Sequence, residues 1–133
     1  MFGTNLAKGA GLTCTNGTGM KLMLDNNSAT HFTTNGTDTT TVITFKLKGK
    51  QSFDVLLLQE NIRVGQRIEQ FSLECLVNGQ WVRATEGTTV GYKRLVQLPE
   101  VSTDQVRLTI LSSRLNPTIA EFGLYKDKGK IRE

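Results

Sequence analysis

A set of arginine, asparagine and tyrosine side chains could form a ligand-binding surface. Each guanidinium is a planar fork of hydrogen-bond donors that suits sugar hydroxyls or carboxylates. The residues of this candidate surface, which could contact a sugar, are Asn61, Arg63, Tyr92, Arg94, Arg114 and Asn116. The alternative for these arginines, and for Arg67, is internal ion pairing or contact with a neighbouring domain. Internal partners would be Glu60, Glu69 and Glu121.

A second candidate is a short stretch of oxygen-bearing side chains. Asp25, Asn27 and Thr30 fall within six residues. A hard cation such as Ca²⁺ takes several oxygen ligands, including backbone carbonyls. The alternative is an Asx-turn in which Asp25 bonds nearby amides and no metal is present.

Catalytic chemistry has little support. Glycoside hydrolysis needs two carboxylates at a defined separation around the scissile bond. Two of Glu60, Glu69 and Glu121 could form such a pair, but a small β-domain with no evident cleft is a poor host for it. The chain holds one histidine, His31, and no pattern of a flanking nucleophile accompanies it. The sequence therefore predicts a non-catalytic domain, with His31 in a surface or loop-packing role.

Composition bounds the fold and the partners. A chain of 133 residues with 13 glycines, three methionines and many threonines favours one β-rich domain. No apolar window is long enough for a membrane span. The net charge of +4 is mild, and the basic residues are scattered rather than interleaved with aromatics, which argues against nucleic acid as a partner. Met1 directly before a domain-like segment suggests a piece of a longer protein that has lost its targeting signal.

The two cysteines leave two interpretations open. Cys14 and Cys75 could pair in an oxidising compartment, although sequence alone cannot bring them within bridging range. Cys75 lies on the apolar side of an alternating segment, which favours a buried free thiol.

The pattern along the chain predicts about eight strands. Phe53–Leu58 is a dense apolar run typical of a strand buried on both faces, whereas Phe71, Leu73 and Cys75 alternate with polar residues. Thr41–Leu47 and the region around Val106 alternate in the same way. Asn78-Gly79 is the strongest hairpin signal, and Trp81 after it is predicted to lie in the core. Short strands at regular spacing predict an all-β antiparallel sandwich.

Antiparallel connections alternate between the two ends of such a sandwich, which predicts two groups of loops. One end would hold the loops at 25–38, 59–66, 86–92 and 112–117. The other would hold those at 48–52, 78–80 and 99–104. The first group is richer in arginine, asparagine, histidine and tyrosine, so the functional surface is expected there.

Three segments resemble a known family. DNNSATHF, Asp25 to Phe32, resembles the D-G-D-x-x-T-x-W signature of discoidin-like (F5/8 type C) domains and family 32 carbohydrate-binding modules. In this chain Asn26 replaces the glycine, Asn27 replaces the second aspartate and Phe32 replaces the tryptophan. FDVLLLQENIRVGQRIEQFSLE, residues 53–74, and the segment from Trp81 to Tyr125 resemble the C-terminal β-sandwich of bacterial family 29 α-L-fucosidases. The resemblance covers residues 5–125, with 126–133 left as a charged tail.

The resemblance implies several further properties. The fold would be a galactose-binding-like jelly roll, one domain over 1–133, attached to a glycosidase catalytic domain that this chain lacks. A structural calcium would be held by Leu22, Asp25, Asn27, Thr30 and Glu121, although Asn27 in place of the second Asp lowers the ligand charge. The chain would be extracellular or periplasmic.

These observations predict a non-catalytic accessory domain of a secreted α-L-fucosidase that binds glycans containing galactose or fucose. One rival is a structural domain that packs on the catalytic barrel without binding sugar. Another is a discoidin-like module that binds protein or lipid. The mostly polar loops ENIRVG and SRLNP argue against the lipid form.

Overall fold

The computed structural model describes residues 5–25, 30–90 and 93–126 of the chain. Strand accounts for 63% of the structure, and the described residues contain no α-helix. The nine strands within these ranges are β1 (Gly11–Thr13), β2 (Gly17–Thr18), β3 (Phe32–Thr34), β4 (Thr41–Gln59), β5 (Ile68–Val77), β6 (Gln80–Gly87), β7 (Arg94–Ser113), β8 (Thr118–Ile119) and β9 (Glu121–Tyr125). Two 3₁₀ helices span Met20–Leu24 and Ile62–Val64.

All strand pairs described are antiparallel. The larger sheet has the order β1-β4-β7-β5-β6, and β9 pairs with the last part of β4. The smaller sheet has the order β2-β3-β8. The predicted antiparallel β-sandwich is confirmed; the finer jelly-roll description stays a prediction.

The two longest strands correct two of the predicted loops. A turn was expected at Gly49 between two strands, but β4 continues through it for 19 residues, and β7 continues for 20 through the expected loop at 99–104. The β4–β7 register shifts between Lys46 and Gln51 and again between Phe53 and Val55. Pro99, which has no N–H to donate, lies opposite the second shift. The pairing is interrupted at each irregularity and resumes after it, as at a β-bulge, where the strands bend.

The bent β4–β7 ribbon makes the two layers of the sandwich. At one end of the ribbon Thr41 pairs with Ile110, which also pairs with Phe71 of β5. At its other end Leu58 pairs with Arg94, whose guanidinium lies 5.8 Å from the centre of the Phe71 ring. Both ends of the ribbon therefore reach the same part of the molecule, and the ribbon must fold back on itself.

The core lies between these layers. Ile43, Phe45 and Leu47 are 0–4% exposed, and Val106, Leu108 and Ile110 are fully buried, as the alternation predicted. The rings of Phe45 and Phe122 stack with their centroids 4.0 Å apart. Since Phe122 pairs with Leu58 in the other half of β4, this stack joins the two layers.

Trp81 was wrongly predicted to be a core residue. It lies half-buried opposite Leu76, and Arg107 places its guanidinium 4.3 Å from the centre of the indole ring. Its neighbour Val82 pairs with the buried Cys75, so the alternation of β6 turns Trp81 to the outer face. The hairpin before it is confirmed, with positive φ at both Asn78 and Gly79.

Both cysteines are free thiols, Cys14 half-buried and Cys75 buried. Burial raises the pKa of the Cys75 thiol from 9.0 to about 11. Within the described ranges, no helix has both the length and the apolar character needed to cross a bilayer.

Candidate functional site

The loop between β4 and β5 is shaped by one buried carboxylate. Glu60 is 3% exposed, and its Oε1 accepts hydrogen bonds from the backbone N–H of Arg67 at 2.7 Å and of Ile68 at 3.0 Å. Bonds of this kind, from backbone amides to a carboxylate, are stronger than neutral ones. Glu60 therefore holds the two ends of the loop together, so that residues 61–66 form a closed projection.

Asn61 connects this loop to its neighbours. Its Oδ1 accepts the N–H of Arg63 at 3.1 Å, and its Nδ2 lies 3.0 Å from Nδ1 of His31. Its backbone N–H donates to Thr118 Oγ1 at 3.2 Å. Because the amide group is a donor toward His31, Nδ1 of the imidazole accepts and the ring proton is on Nε2. His31 thus keeps an N–H donor at this end of the molecule.

Arg67 clamps the same loop to the segment 113–117. Its Nη1 donates to the backbone carbonyl of Asn116 at 3.1 Å and to the side-chain Oδ1 at 3.3 Å. Its own carbonyl accepts the N–H of Arg114 at 2.9 Å and the hydroxyl of Ser113 at 3.0 Å. Asn116 in turn donates to Thr33 Oγ1 at 3.0 Å. Three loops are therefore joined, which agrees with the loop grouping predicted from strand alternation.

Two of the predicted sugar-contacting residues remain exposed on this clamped frame. The guanidinium groups of Arg63 and Arg114 form no hydrogen bond or ion pair within the described part of the chain. Arg114 is fixed through its backbone to Arg67, and Arg63 through its backbone to Asn61. The main chain at both residues is held while both side chains stay available.

The other predicted contacts have structural partners. Asn61 and Asn116 hold loops together, as above. Arg94 is half-buried, donates to the carbonyl of Thr89 at 2.6 Å and lies over the Phe71 ring, so it supports the β6–β7 connection. Tyr92, the predicted aromatic contact, lies outside the described residues.

The predicted calcium ligands are only partly described. The Thr30 hydroxyl donates to Oδ2 of the exposed Asp25 at 2.6 Å, so these two oxygens converge, and Leu22 is 36% exposed. The first 3₁₀ helix packs against β9, which carries the buried Glu121. Asn27 lies outside the described residues. The described residues contain no group of three or more His, Cys, Asp and Glu side chains suited to a metal, and calcium remains a prediction.

The carboxylates that could have suggested hydrolysis are occupied in other ways. Glu60 bonds two amides, and Glu69 accepts the Ser112 hydroxyl at 2.7 Å. Glu121 is 7% exposed. The pKa of Tyr125 is raised by the burial of the tyrosine itself and by the negative charge of Glu121. Nothing in these contacts resembles an acid and a base that face each other across a cleft.

Sequence reasoning left two residues of this site out of the predicted sugar contacts, with internal partners as the alternative for Arg67 and a surface or loop-packing role for His31. Arg67 is the central clamp, and His31 is bonded to the loop that carries Arg63. The pairing of each depends on contacts between segments more than 25 residues apart, and no local pattern signals it. Since His31 is the only histidine, its placement in a predicted functional loop was the available signal.

Comparisons with known proteins bear on both fold and family. No family model matches the chain. An α-L-fucosidase 1 of Oryza sativa subsp. japonica is 42% identical over 87 residues, which is 65% of this chain and 17% of that protein. The chain thus spans less than a fifth of the length of the curated relatives it matches.

Solved structures give the same relationship over nearly the whole chain. An α-L-fucosidase of Bacteroides thetaiotaomicron matches with a TM-score of 0.89 and 35% identity, over 96% of this chain and 30% of that chain. A Ruminococcus gnavus GH29 fucosidase in complex with fucose matches with a TM-score of 0.84 and 32% identity, over 98% of this chain and 28% of that chain.

A family 32 carbohydrate-binding module of C. perfringens NanJ, in complex with galactose, matches with a TM-score of 0.80 over 92% of this chain and 98% of that module. At 15% identity this likeness concerns the fold alone. The chain is accordingly similar in sequence to part of α-L-fucosidases, a GH29 enzyme among them, and shares its β-sandwich fold with carbohydrate-binding modules.

Proposed function

We propose that this chain is a non-catalytic, carbohydrate-binding accessory domain of an α-L-fucosidase. The observation that carries the proposal is the loop end formed by residues 30–34, 60–67 and 113–117. There, two exposed guanidinium groups project from loops fastened by the Arg67–Asn116 and Asn61–His31 hydrogen bonds. Homology to fucosidases and the fold of sugar-binding modules support it further.

The proposed site binds by directed hydrogen bonding from a rigid frame. Arg63 and Arg114 donate to the sugar, and His31 Nε2 adds a third donor. Because the backbone is already fastened in the free protein, the ordering cost on binding is mainly that of the two arginine side chains. A shallow site of this kind gives weak affinity, near millimolar, or about 4 kcal/mol of binding free energy.

Catalysis would reside in the part of the fucosidase that this chain does not span. The proposed role of the accessory domain is to keep the enzyme near glycans that contain galactose or fucose. Such an enzyme would work outside the cytoplasm, in the periplasm or the extracellular space. Glu60 and Glu121 are both buried, and Glu60 bonds to backbone amides, which supports a domain with no catalytic carboxylate pair.

A second function is favoured by a specific observation. Val64 and Leu115 are 42% and 54% exposed on the same two loops as Arg63 and Arg114. Apolar side chains beside arginines also suit a protein interface. In this alternative the loop end packs on the catalytic domain and binds no sugar.

Amide NMR of the 133-residue chain separates the two functions. Galactose, fucose and their β-linked oligosaccharides should shift resonances in 59–66, 87–94 and 112–117, and Arg63→Ala or Arg114→Ala should weaken the binding. Arg83→Ala is the matched control, since Arg83 is also exposed but lies on β6 in an ion pair with Glu86. An absence of shifts with every glycan at tens of millimolar would favour the packing domain.

A longer protein that includes the catalytic domain then tests the alternative directly. If the loop end packs on that domain, Arg63→Ala and Arg114→Ala should lower its melting temperature or activity. If the loop end binds sugar instead, these substitutions should leave the turnover of a small aryl fucoside unchanged.

A further inference from the structure

The exposed charge at the loop end is positive. Arg63, Arg114 and Lys93 are exposed there, and none of the three side chains has a hydrogen bond or ion pair with another described residue. Lys93 lies outside the three segments of the loop end but beside them, because the next residue, Arg94, pairs with Leu58, which precedes the loop that Glu60 begins.

The carboxylates on the surrounding loops are engaged with other partners. Glu60 is turned inward onto two backbone amides, and Glu69 accepts from Ser112. Asp25 accepts from Thr30, and Asp38 accepts from Asn16 at 3.1 Å. These bonds leave the carboxylates charged, but in the described part of the chain none of them forms an ion pair with Arg63, Arg114 or Lys93.

Hydrogen-bond capacity is unbalanced in the same direction. Acceptors that could face a ligand already accept internally: Asn61 Oδ1 from Arg63, and Asn116 Oδ1 from Arg67. The charged groups left over are donors, namely two guanidiniums and an ammonium, and the Nε2–H of His31 is a neutral donor. The exposed Gln66 on the same loop offers both a donor and an acceptor. A sugar hydroxyl both donates and accepts, so the three charged donors can satisfy only its accepting half.

A sulfate ester or a carboxylate is an acceptor-only, negatively charged group and fits this arrangement. Arg binds such groups through two parallel N–H···O bonds that are shorter and stronger than neutral ones. We infer that the loop end selects acidic glycans, in which a sugar carries a sulfate ester or a carboxylate, over their neutral counterparts. This inference rests on the proposed function and narrows its ligand class.

The clamped loops make the selection geometric as well as electrostatic. The loop carrying Arg63 is fastened to the segment after β7 at both of its ends, through Asn61 to Thr118 and through Arg67 to Arg114. The loops that bear Arg63 and Arg114 therefore lie side by side. One acidic group between them could receive donors from both loops at once.

The test compares matched ligands on the 133-residue chain by amide NMR titration. The probes are methyl galactoside, methyl galacturonide and galactose 6-sulfate, which share a ring and differ in charge. We expect both acidic sugars to bind roughly tenfold more tightly than methyl galactoside, the effect of about one additional charge-assisted hydrogen bond. The preference should shrink between about 0.05 and 0.5 M NaCl, because exposed charges are screened.

Substitutions assign the preference to the two arginines. Arg63→Gln and Arg114→Gln should each remove most of the preference, and Arg83→Gln on β6 should retain it. Glutamine keeps a polar side chain while removing the charge. An unshifted set of distant amide resonances in each variant verifies that it is folded.

The outcomes distinguish the inference from the proposal beneath it. Equal binding of neutral and acidic sugars, or a preference that persists in Arg63→Gln and Arg114→Gln, overturns the inference and leaves sugar binding intact. Binding of none of the three sugars counts against the proposed function itself. Arginine-dependent binding to phosphatidylserine vesicles without binding to acidic sugars would assign the patch to a membrane surface and also overturn the inference.

Discussion

At the residue scale, Glu60 illustrates how a single buried carboxylate shapes the functional end of the molecule. Its Oε1 accepts two backbone amides at the return of the loop that carries Arg63. An isolated buried charge is costly, but a carboxylate satisfied by amides can stabilise a fixed backbone path. Glu60 therefore fixes the backbone path of this loop in addition to contributing a charge.

We expect Glu60→Gln to lower the free energy of unfolding by about 1–2 kcal/mol, because the amide oxygen can accept the same bonds but without charge assistance. Urea denaturation monitored by fluorescence of Trp81 measures this. Glu69→Gln is the control, since Glu69 is exposed, and its effect should stay within about 0.5 kcal/mol. Equal losses in both variants would show that Glu60 does not act through the buried amides.

Cys75 makes stability depend on pH above neutrality. Its pKa is 9.0 ordinarily and about 11 in the folded protein. Between these values the unfolded chain loses the thiol proton while the folded chain keeps it, so stability falls as pH rises. The contribution of Cys75 to the free energy of unfolding is fully present below pH 9. About 2 kcal/mol of it is lost by pH 11.

Urea denaturation at several pH values tests this expectation. Cys75→Ala should flatten the decline, whereas Cys14→Ala should not. Tyr125 also has a raised pKa, from burial and from Glu121, so Tyr125→Phe is needed to separate its share. A decline of unchanged slope in Cys75→Ala would assign the pH dependence to other groups.

Individual site residues were predictable to different degrees. Arg63 and Arg114 lie on loops that strand alternation placed at one end of the sandwich, and the side chains of both are exposed. Arg94 and Asn116 come from the same reasoning, yet they hold backbone segments together. A sequence pattern indicates the end of the sandwich but does not determine which polar side chain bonds internally, because that depends on contacts between distant loops.

At the element scale, side-chain alternation was informative and turn signals were less so. Ile43, Phe45 and Leu47 face the core as their spacing predicted. Gly49 was read as the end of a strand, but it has φ +82° within β4. A positive φ in glycine can terminate a strand or bend it, and only the pairing with β7 decides between the two.

Gly49 should be the residue that makes the bend of β4 possible. We expect Gly49→Ala to cost about 1 kcal/mol of stability, since a Cβ is strained at positive φ, although no atom lies within 4 Å of where it would be. Gly11→Ala on β1 is the matched control, with only ordinary contacts to Lys46 at 3.8 Å or more. Thermal denaturation should show a lower melting temperature for the first variant alone.

Calcium, if bound, would join an early loop to the last strand. Ca²⁺ between the Leu22–Thr30 segment and Glu121 binds the native state only, so it should raise the melting temperature by mass action. Chelator should reverse the rise, and Asp25→Ala should abolish it. Identical melting curves in saturating calcium and in chelator would support the turn closed by the Thr30–Asp25 hydrogen bond.

At the scale of the whole molecule, the fold separates support from recognition. The bent β4–β7 ribbon and the Phe45–Phe122 stack form a rigid two-layer body. The loops at one end carry the exposed arginines, and the bends of β4 and β7 lie at the other end, beside the Asn78-Gly79 turn and a cavity of about 320 Å³. A body of this kind can present a binding surface on the loops at its ends.

The chain should therefore fail to hydrolyse fucosides, although its relatives are α-L-fucosidases. We expect no release of nitrophenol from an aryl fucoside, because Glu60 is bound to two amides and Glu121 is buried on β9. A spectrophotometric assay on repurified chain measures the release against a buffer blank. Hydrolysis that survives repurification and disappears in Glu60→Gln or Glu121→Gln would contradict this expectation and give the domain an acid–base pair of its own.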